Sequence, residues 1–174
     1  MFIDLCSFWR DRKGTTAIEF SLLAIPFVTF VIGIIELALM GASASLLQGA
    51  MSDAARLVRT GQVQQTSGDP QQMFADALCA KASVLLNCSN IQYSVERLDA
   101  FSDANPAPDV DEDGNLVNTQ FDPGASRDVV LIRVAYGYRF MTPLIGNVFS
   151  NYANNTRLLV SSMVLETEPY YFGD

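Results

Sequence analysis

The sequence predicts an α+β protein: a long N-terminal transmembrane helix extends into a small periplasmic domain with a second helix and an antiparallel sheet of about three strands. Three observations predict it. Between Ala17 and Leu47 only Glu19 and Glu36 are charged, a stretch longer than the roughly 20 apolar residues that span a bilayer. A second helical pattern follows, opened by Asp69 and Pro70. Three later segments then alternate apolar and polar residues with the period of a strand.

Residues 1–14 read as a short leader in which Arg10, Arg12 and Lys13 abut the apolar run. The positive-inside rule keeps that end in the cytoplasm and puts the body of the chain outside, although Arg56 and Arg59 weaken the bias. Residues 15–60 read as one helix, with a kink expected where Pro26 removes a backbone hydrogen bond. Gly33, Gly41 and Gly49 recur every eight residues. Together with Ala42, Ala44, Ala50, Ala54 and Ala55 they offer small-residue surfaces on which helices approach closely in lipid. Beyond Leu46 the helix turns amphipathic. Leu47, Met51, Ala54 and Val58 share one face, so this half is expected to leave the membrane and pack on the domain. Gly61 is the expected C-cap.

Residues 61–174 form the predicted outer domain, beginning with a polar linker over 62–69. Asp69 supplies an N-cap, Pro70 the first helical position and Gln72 a capping-box partner. The helix is expected to reach about Leu86, with Phe74, Leu78, Ala82 and Leu85 as its apolar stripe. Ile91, Tyr93 and Val95 mark a first strand, and the run from Val130 to Phe140 a second, longer one. Leu158, Val160 and Val164 mark a third, with Leu159, Met163 and Leu165 on its other face. Thr142-Pro143 opens a short helical turn through Phe149, and residues 102–126 read as a long loop rich in Asp, Asn, Pro and Gly.

Composition narrows the chemistry. The chain carries 19 acidic and 11 basic residues, for a net charge of −8. Residues 1–60 balance to zero, so the whole excess lies in the outer domain. An acidic domain argues against nucleic acid, whose phosphates need a basic face. The chain has no histidine, which removes the commonest general base and metal ligand and every Ser-His or Cys-His nucleophile. Lys81 is the one lysine outside the leader. No nucleophile–base pair is visible, so an anchored enzyme ranks last among the readings. No cofactor is expected.

Two further features stand out in the outer domain. Cys79 and Cys88 are nine residues apart; on an oxidising side of the membrane they are the natural pair for a disulfide, and in a reducing compartment they would be buried thiols. Asp109, Asp111, Asp113 and Asn115, with Gly114 between the last two, match the opening of a calcium loop. The closing position holds Gln120 where that loop needs glutamate. The other reading is an acidic turn with Asp113-Gly114 at its tip.

The first segment admits four readings. A plain signal anchor explains its length and basic flank but not its carboxylates. A cleaved signal peptide ending at Ala42-Ser43-Ala44 would need a shorter apolar run. A buried cytosolic helix fits neither the length nor the leader. The fourth is a prepilin-type segment. Gly14, followed by Glu19 at the fifth position after it, resembles a type IV prepilin processing site. The wider string of Gly14, Ala17-Ile18-Glu19-Phe20, Pro26, Gly33-Ile34-Ile35-Glu36 and Ala54-Ala55-Arg56 resembles the TadE-like family, pseudopilins or minor pilins of Tad/Flp pilus systems. The resemblance is strongest over residues 13–61. The stretch Val129 to Gly146, with Tyr136-Gly137-Tyr138 and Thr142-Pro143-Leu144, is similar to the C-terminal part of longer TadE-like proteins. Major Flp pilins are very short and usually have Glu-Tyr at this place. Glu19-Phe20 and a full outer domain favour a minor component.

The resemblance implies a minor pseudopilin, cut between Gly14 and Thr15 by a prepilin peptidase and acting in pilus assembly, adhesion or secretion. It implies an inner-membrane protein whose partners are that peptidase, other pilins or pseudopilins, and membrane lipid. The alternative is an unprocessed, single-pass anchored scaffold or binding domain. Glycine at the cut lets a peptidase approach the backbone closely, and cleavage leaves a positive amine on Thr15. Two roles are open for Glu19: neutralising that amine on a neighbouring subunit, or reaching back to the headgroups. Glu36 lies about 25 Å further along the helix at 1.5 Å per residue. It is expected at the outer interface or paired with a basic group of a partner pseudopilin.

Overall fold

The computed structural model describes residues 14–170, so Cys6 and the leader cluster Arg10, Arg12 and Lys13 lie outside the described residues. The chain divides into two compact units, residues 1–38 and 39–174. The first helix, α1 (Thr15–Arg59), gives its first half to one and its second half to the other.

In the first unit α1 is assigned as helix without a break through Pro26. Its side chains make almost no core. Ile18, Phe20, Leu22, Leu23, Ile25, Phe27 and Phe30 are 65–73% exposed. Ser21 and Thr29 turn their hydroxyls back onto the carbonyls of Ile18 and Ile25, each at 2.9 Å. A helix whose backbone and hydroxyls are satisfied internally, and whose surface is apolar all round, suits hydrocarbon better than water. By length and composition it is the one helix among the described residues able to cross a membrane, and it serves as a single-pass anchor.

The second unit holds the core. Leu47, Ala50, Met51, Ala54, Ala55 and Val58 of α1 are buried, so the stripe read from the helical period is the packed face. α1 ends in a Schellman motif, as the expected glycine cap requires. Gly61 adopts φ +76°, its N–H reaches the Val58 carbonyl at 3.1 Å, and the Gln62 N–H reaches that of Leu57 at 3.0 Å.

The second helix, α2 (Pro70–Ala82), opens as expected, with the Asp69 carboxylate accepting from the Gln71 N–H at 2.9 Å. The capping box does not close. Gln72 turns forward along the helix and donates to Asp76 at 2.8 Å, an i,i+4 pair. The helix also stops at Ala82 rather than near Leu86. Ser83, Val84 and Leu85 turn out of it, and a tight bond from the Leu86 N–H to the Ala82 carbonyl at 2.9 Å reverses the chain. The stripe changes with it: Phe74, Leu78 and Ala82 are buried, whereas Leu85 is 48% exposed and Leu86 takes its place in the core.

Three strands follow: β1 (Ile91–Leu98), β2 (Val129–Arg139) and β3 (Thr156–Glu166). They form an antiparallel sheet in the order β1-β2-β3, with Ile91 opposite Tyr136 and Arg139 opposite Thr156. A short helix, α3 (Pro143–Phe149), bridges β2 to β3 where the Thr142-Pro143 signal placed it. Val130, Ile132 and Val134, with Val95, Leu159 and Leu165 from the flanking strands, share one core with α1 and α2.

The other face of the sheet is covered by the long loop. Arg133 pairs with Glu96 at 3.0 Å and donates to the Asn105 carbonyl at 2.8 Å. Ser162 donates to the Pro106 carbonyl at 2.8 Å. The loop also blunts the β1 edge, where the Val95 N–H bonds to the Gln120 carbonyl and the Asp122 N–H to the Val95 carbonyl. Phe121 thereby joins Phe74 and Tyr93 in an aromatic trio with centroids 5.3–6.4 Å apart.

Candidate functional site

The residues singled out in the first segment lie on α1 and its entry. Gly14 is exposed, and a side chain built there would meet nothing within 4 Å. Thr15 starts the helix, and Glu19 and Phe20 are exposed one turn on. The arrangement presents an open glycine peptide bond, then a carboxylate on a bare apolar helix. Glu36 differs. It is only 3% exposed, so its side chain is covered by protein, not at an open interface. A carboxylate that far from water is costly unless its oxygens are satisfied.

The small-residue series splits in two. A side chain on Gly41 would meet nothing within 4 Å, which leaves a bare surface on the helix. Gly49 instead seats the Lys81 stem of α2, whose Cε lies 3.2 Å from where a Cβ would stand. Lys81 crosses it to pair with Asp53 at 3.0 Å.

The structure joins Cys79, near the end of α2, to Cys88 as a disulfide, with a Cα–Cα separation of 5.6 Å. The bridge closes the reversal that ends α2.

The acidic loop is a closed turn. The Asp111 carboxylate accepts from the Asp113 N–H at 3.0 Å, the Asn115 N–H at 2.7 Å and the Asn115 side-chain amide at 3.1 Å. These bonds, that from the Asn115 backbone first, hold its carboxyl below the usual carboxylate range. Val110 and Leu116 pair across the turn, and Gly114 takes φ +83° at the tip. Gln120, at the closing position of the calcium pattern, places its carbonyl on β1. The oxygens that would face an ion at Asp111 thus face backbone N–H groups, and among the described residues no group of three or more acidic or cysteine side chains is placed to hold a metal.

A cavity of about 380 Å³ opens beside that turn, on the sheet face away from α1. Its floor includes Gly137 of β2 and Thr156 and Leu158 of β3; Asn90 and Gln92 line one wall, and Gly114 and Tyr152 the other. The sequence carries one signal of it, a glycine inside an otherwise clean alternation of large residues in β2.

Comparison with curated proteins and with solved structures finds no match. The family model described as TadE-like protein matches residues 14–56, so the stretch that holds Gly14, Glu19, Phe20, Pro26, Glu36 and Arg56 is similar to TadE-like proteins.

Proposed function

We propose that the chain is a minor pseudopilin of a Tad/Flp-type pilus, cut after Gly14 and built into the pilus machine by helix packing. The observation that carries this reading is the TadE-like match over residues 14–56 on a helix whose first half is bare apolar surface. A core helix of a soluble domain would bury that surface. An exposed helix with an internal carboxylate needs lipid and partner helices around it.

In this reading the leader faces the cytoplasm, where a prepilin peptidase reaches the open Gly14–Thr15 bond. The amine freed on Thr15 is held by Glu19 of a neighbouring subunit, which sets the axial register between packed helices. The second unit projects on the periplasmic side, where the Cys79–Cys88 bridge is stable, and its role is structural rather than catalytic.

The test is complementation of a strain lacking this chain, with processing and pilus assembly measured separately. Wild type restores both. Glu19→Ala is processed yet fails to assemble. Full assembly of Glu19→Ala removes the pairing role, and normal piliation in the deletion strain removes the pilus reading.

A further inference from the structure

From the cavity beside the acidic turn we infer that the second unit binds an uncharged saccharide. The inference does not rest on the pilus reading. It starts from Gly137, which lies inside β2, a position where glycine weakens a strand and needs a reason. Close approach of another backbone is one such reason, but the nearest obstacle to a Cβ at Gly137 is a side-chain methyl, Cγ2 of Thr156, at 3.3 Å. The residue is exposed and lines the cavity. Elsewhere on this face the long loop lies over the sheet, at Arg133 of β2 and Ser162 of β3. At Gly137 the missing side chain leaves a hollow.

The lining selects the ligand. Among the described residues no lysine or arginine borders the cavity, and the one carboxylate is that of Asp113. Phosphates, nucleotides and organic acids therefore find no counter-charge. Polar surface outweighs apolar, which disfavours a lipid chain. What remains is a neutral ligand with many hydroxyls and a ring face. Asn90, Ser89 and Thr156 offer both donors and acceptors along the rim. The Asp113 carboxylate and the Tyr152 hydroxyl have no hydrogen bond within the described residues. Gly114 packs against the Tyr152 ring, whose Cδ1 lies 3.2 Å from its would-be Cβ. That contact fixes an aromatic ring in the cavity wall. The volume of about 380 Å³ falls at the small end of ligand sites, which run about 300–1,000 Å³, and matches one or two sugar rings.

The experiment uses the full chain, isotope-labelled and held in nanodiscs of zwitterionic lipid so that no detergent headgroup competes. The probes are methyl glycosides of glucose, galactose, mannose and N-acetylglucosamine at millimolar concentration, read by saturation transfer and amide shifts. At least one should shift the amides of Asn90, Gly114, Gly137 and Tyr152 together. Gly137→Val should abolish binding while the amide spectrum away from the cavity stays native, because valine suits a strand and fills the floor. Asp113→Ala, on the exposed turn, should weaken binding about tenfold or more. No response to any glycoside overturns the inference, as does binding that survives Gly137→Val and Asp113→Ala. A dipeptide that shifts the same amides where glycosides do not overturns the ligand class.

Discussion

Replacing Gly61 by alanine should loosen the second unit at the point where α1 ends and the chain's last described residues return to it. Gly61 holds φ +76°, a region that costs a residue with a Cβ about 1–2 kcal/mol. The new Cβ would also stand 2.7 Å from both Cδ1 and Cε1 of Tyr170. Real Cβ atoms do not come that close, so the ring must move. The strap it belongs to is also held by buried Thr167, whose N–H donates to the Asp128 carbonyl at 3.0 Å, by the Glu168 N–H on the Arg59 carbonyl at 2.8 Å, and by the exposed Arg59–Glu168 ion pair, which adds little. Lost ring packing adds about 1 kcal/mol, for a total of roughly 2–3 kcal/mol. For a unit of this size that lowers the melting temperature by on the order of 10 °C. Thermal unfolding in nanodiscs, followed by near-ultraviolet circular dichroism, measures it. Tyr170→Ala separates the two terms. In that background Gly61→Ala should cost only the backbone share, a coupling of about 1 kcal/mol. A fall below about 2 °C for Gly61→Ala, or an equal cost with and without the ring, would refute the reasoning.

Other outcomes follow from the same structure. Phe74→Ala removes a fully buried ring from the trio with Tyr93 and Phe121 and should cost about 3–5 kcal/mol by denaturant titration. Replacing Cys79 and Cys88 together by serine opens a link across nine residues and should cost roughly 2–3 kcal/mol, with the wild type matching the variant once reduced. Because the folded Asp111 carboxyl titrates below its ordinary value, its contribution is present above the usual carboxylate pKa. It is lost as pH falls through the lower folded value. The Asn115 amide resonance should therefore hold its position at neutral pH and move only in acid, below the ordinary carboxylate range.

Much of this fold is legible in the sequence because its signals are local. The Schellman end of α1 follows from one glycine after an amphipathic run, and the strand alternation of β2 marks Val130, Ile132 and Val134 as its face toward the helices. The structure departs from these signals where a competing hydrogen-bond partner or tertiary packing decides. Gln72 was read as a capping partner, but Asp76 offers its amide a better-placed acceptor on the helix face. The periodicity carries the expected end of α2 about four residues past Ala82, since Leu85 keeps the helical period and nothing nearby shows that Leu86 fills the core. The acidic loop has a cation-loop spelling, but in the folded chain Asp111 is already satisfied by the Asp113 and Asn115 N–H groups. Gly49 looked like a membrane contact; it is a seat for Lys81, which lies far off in sequence. The cavity escaped for the same reason, because its walls come from the β1 entry, the acidic turn and the α3–β3 link.

The burial of Glu36 belongs to this group. Hydropathy marks it as a break in the apolar run but cannot say whether water or protein meets it. Glu19, at the other end of the same half-helix, is exposed, and the proposed pairing role is given to it for that reason.

The central claim concerns Gly14, and intact mass spectrometry tests it most directly. The chain is expressed in cells with and without an active prepilin peptidase and its mass compared. The account predicts loss of residues 1–14 only where the peptidase is active, with Thr15 as the new N-terminus and the loss abolished by a substitution at Gly14. An unchanged mass in the presence of active peptidase would contradict it.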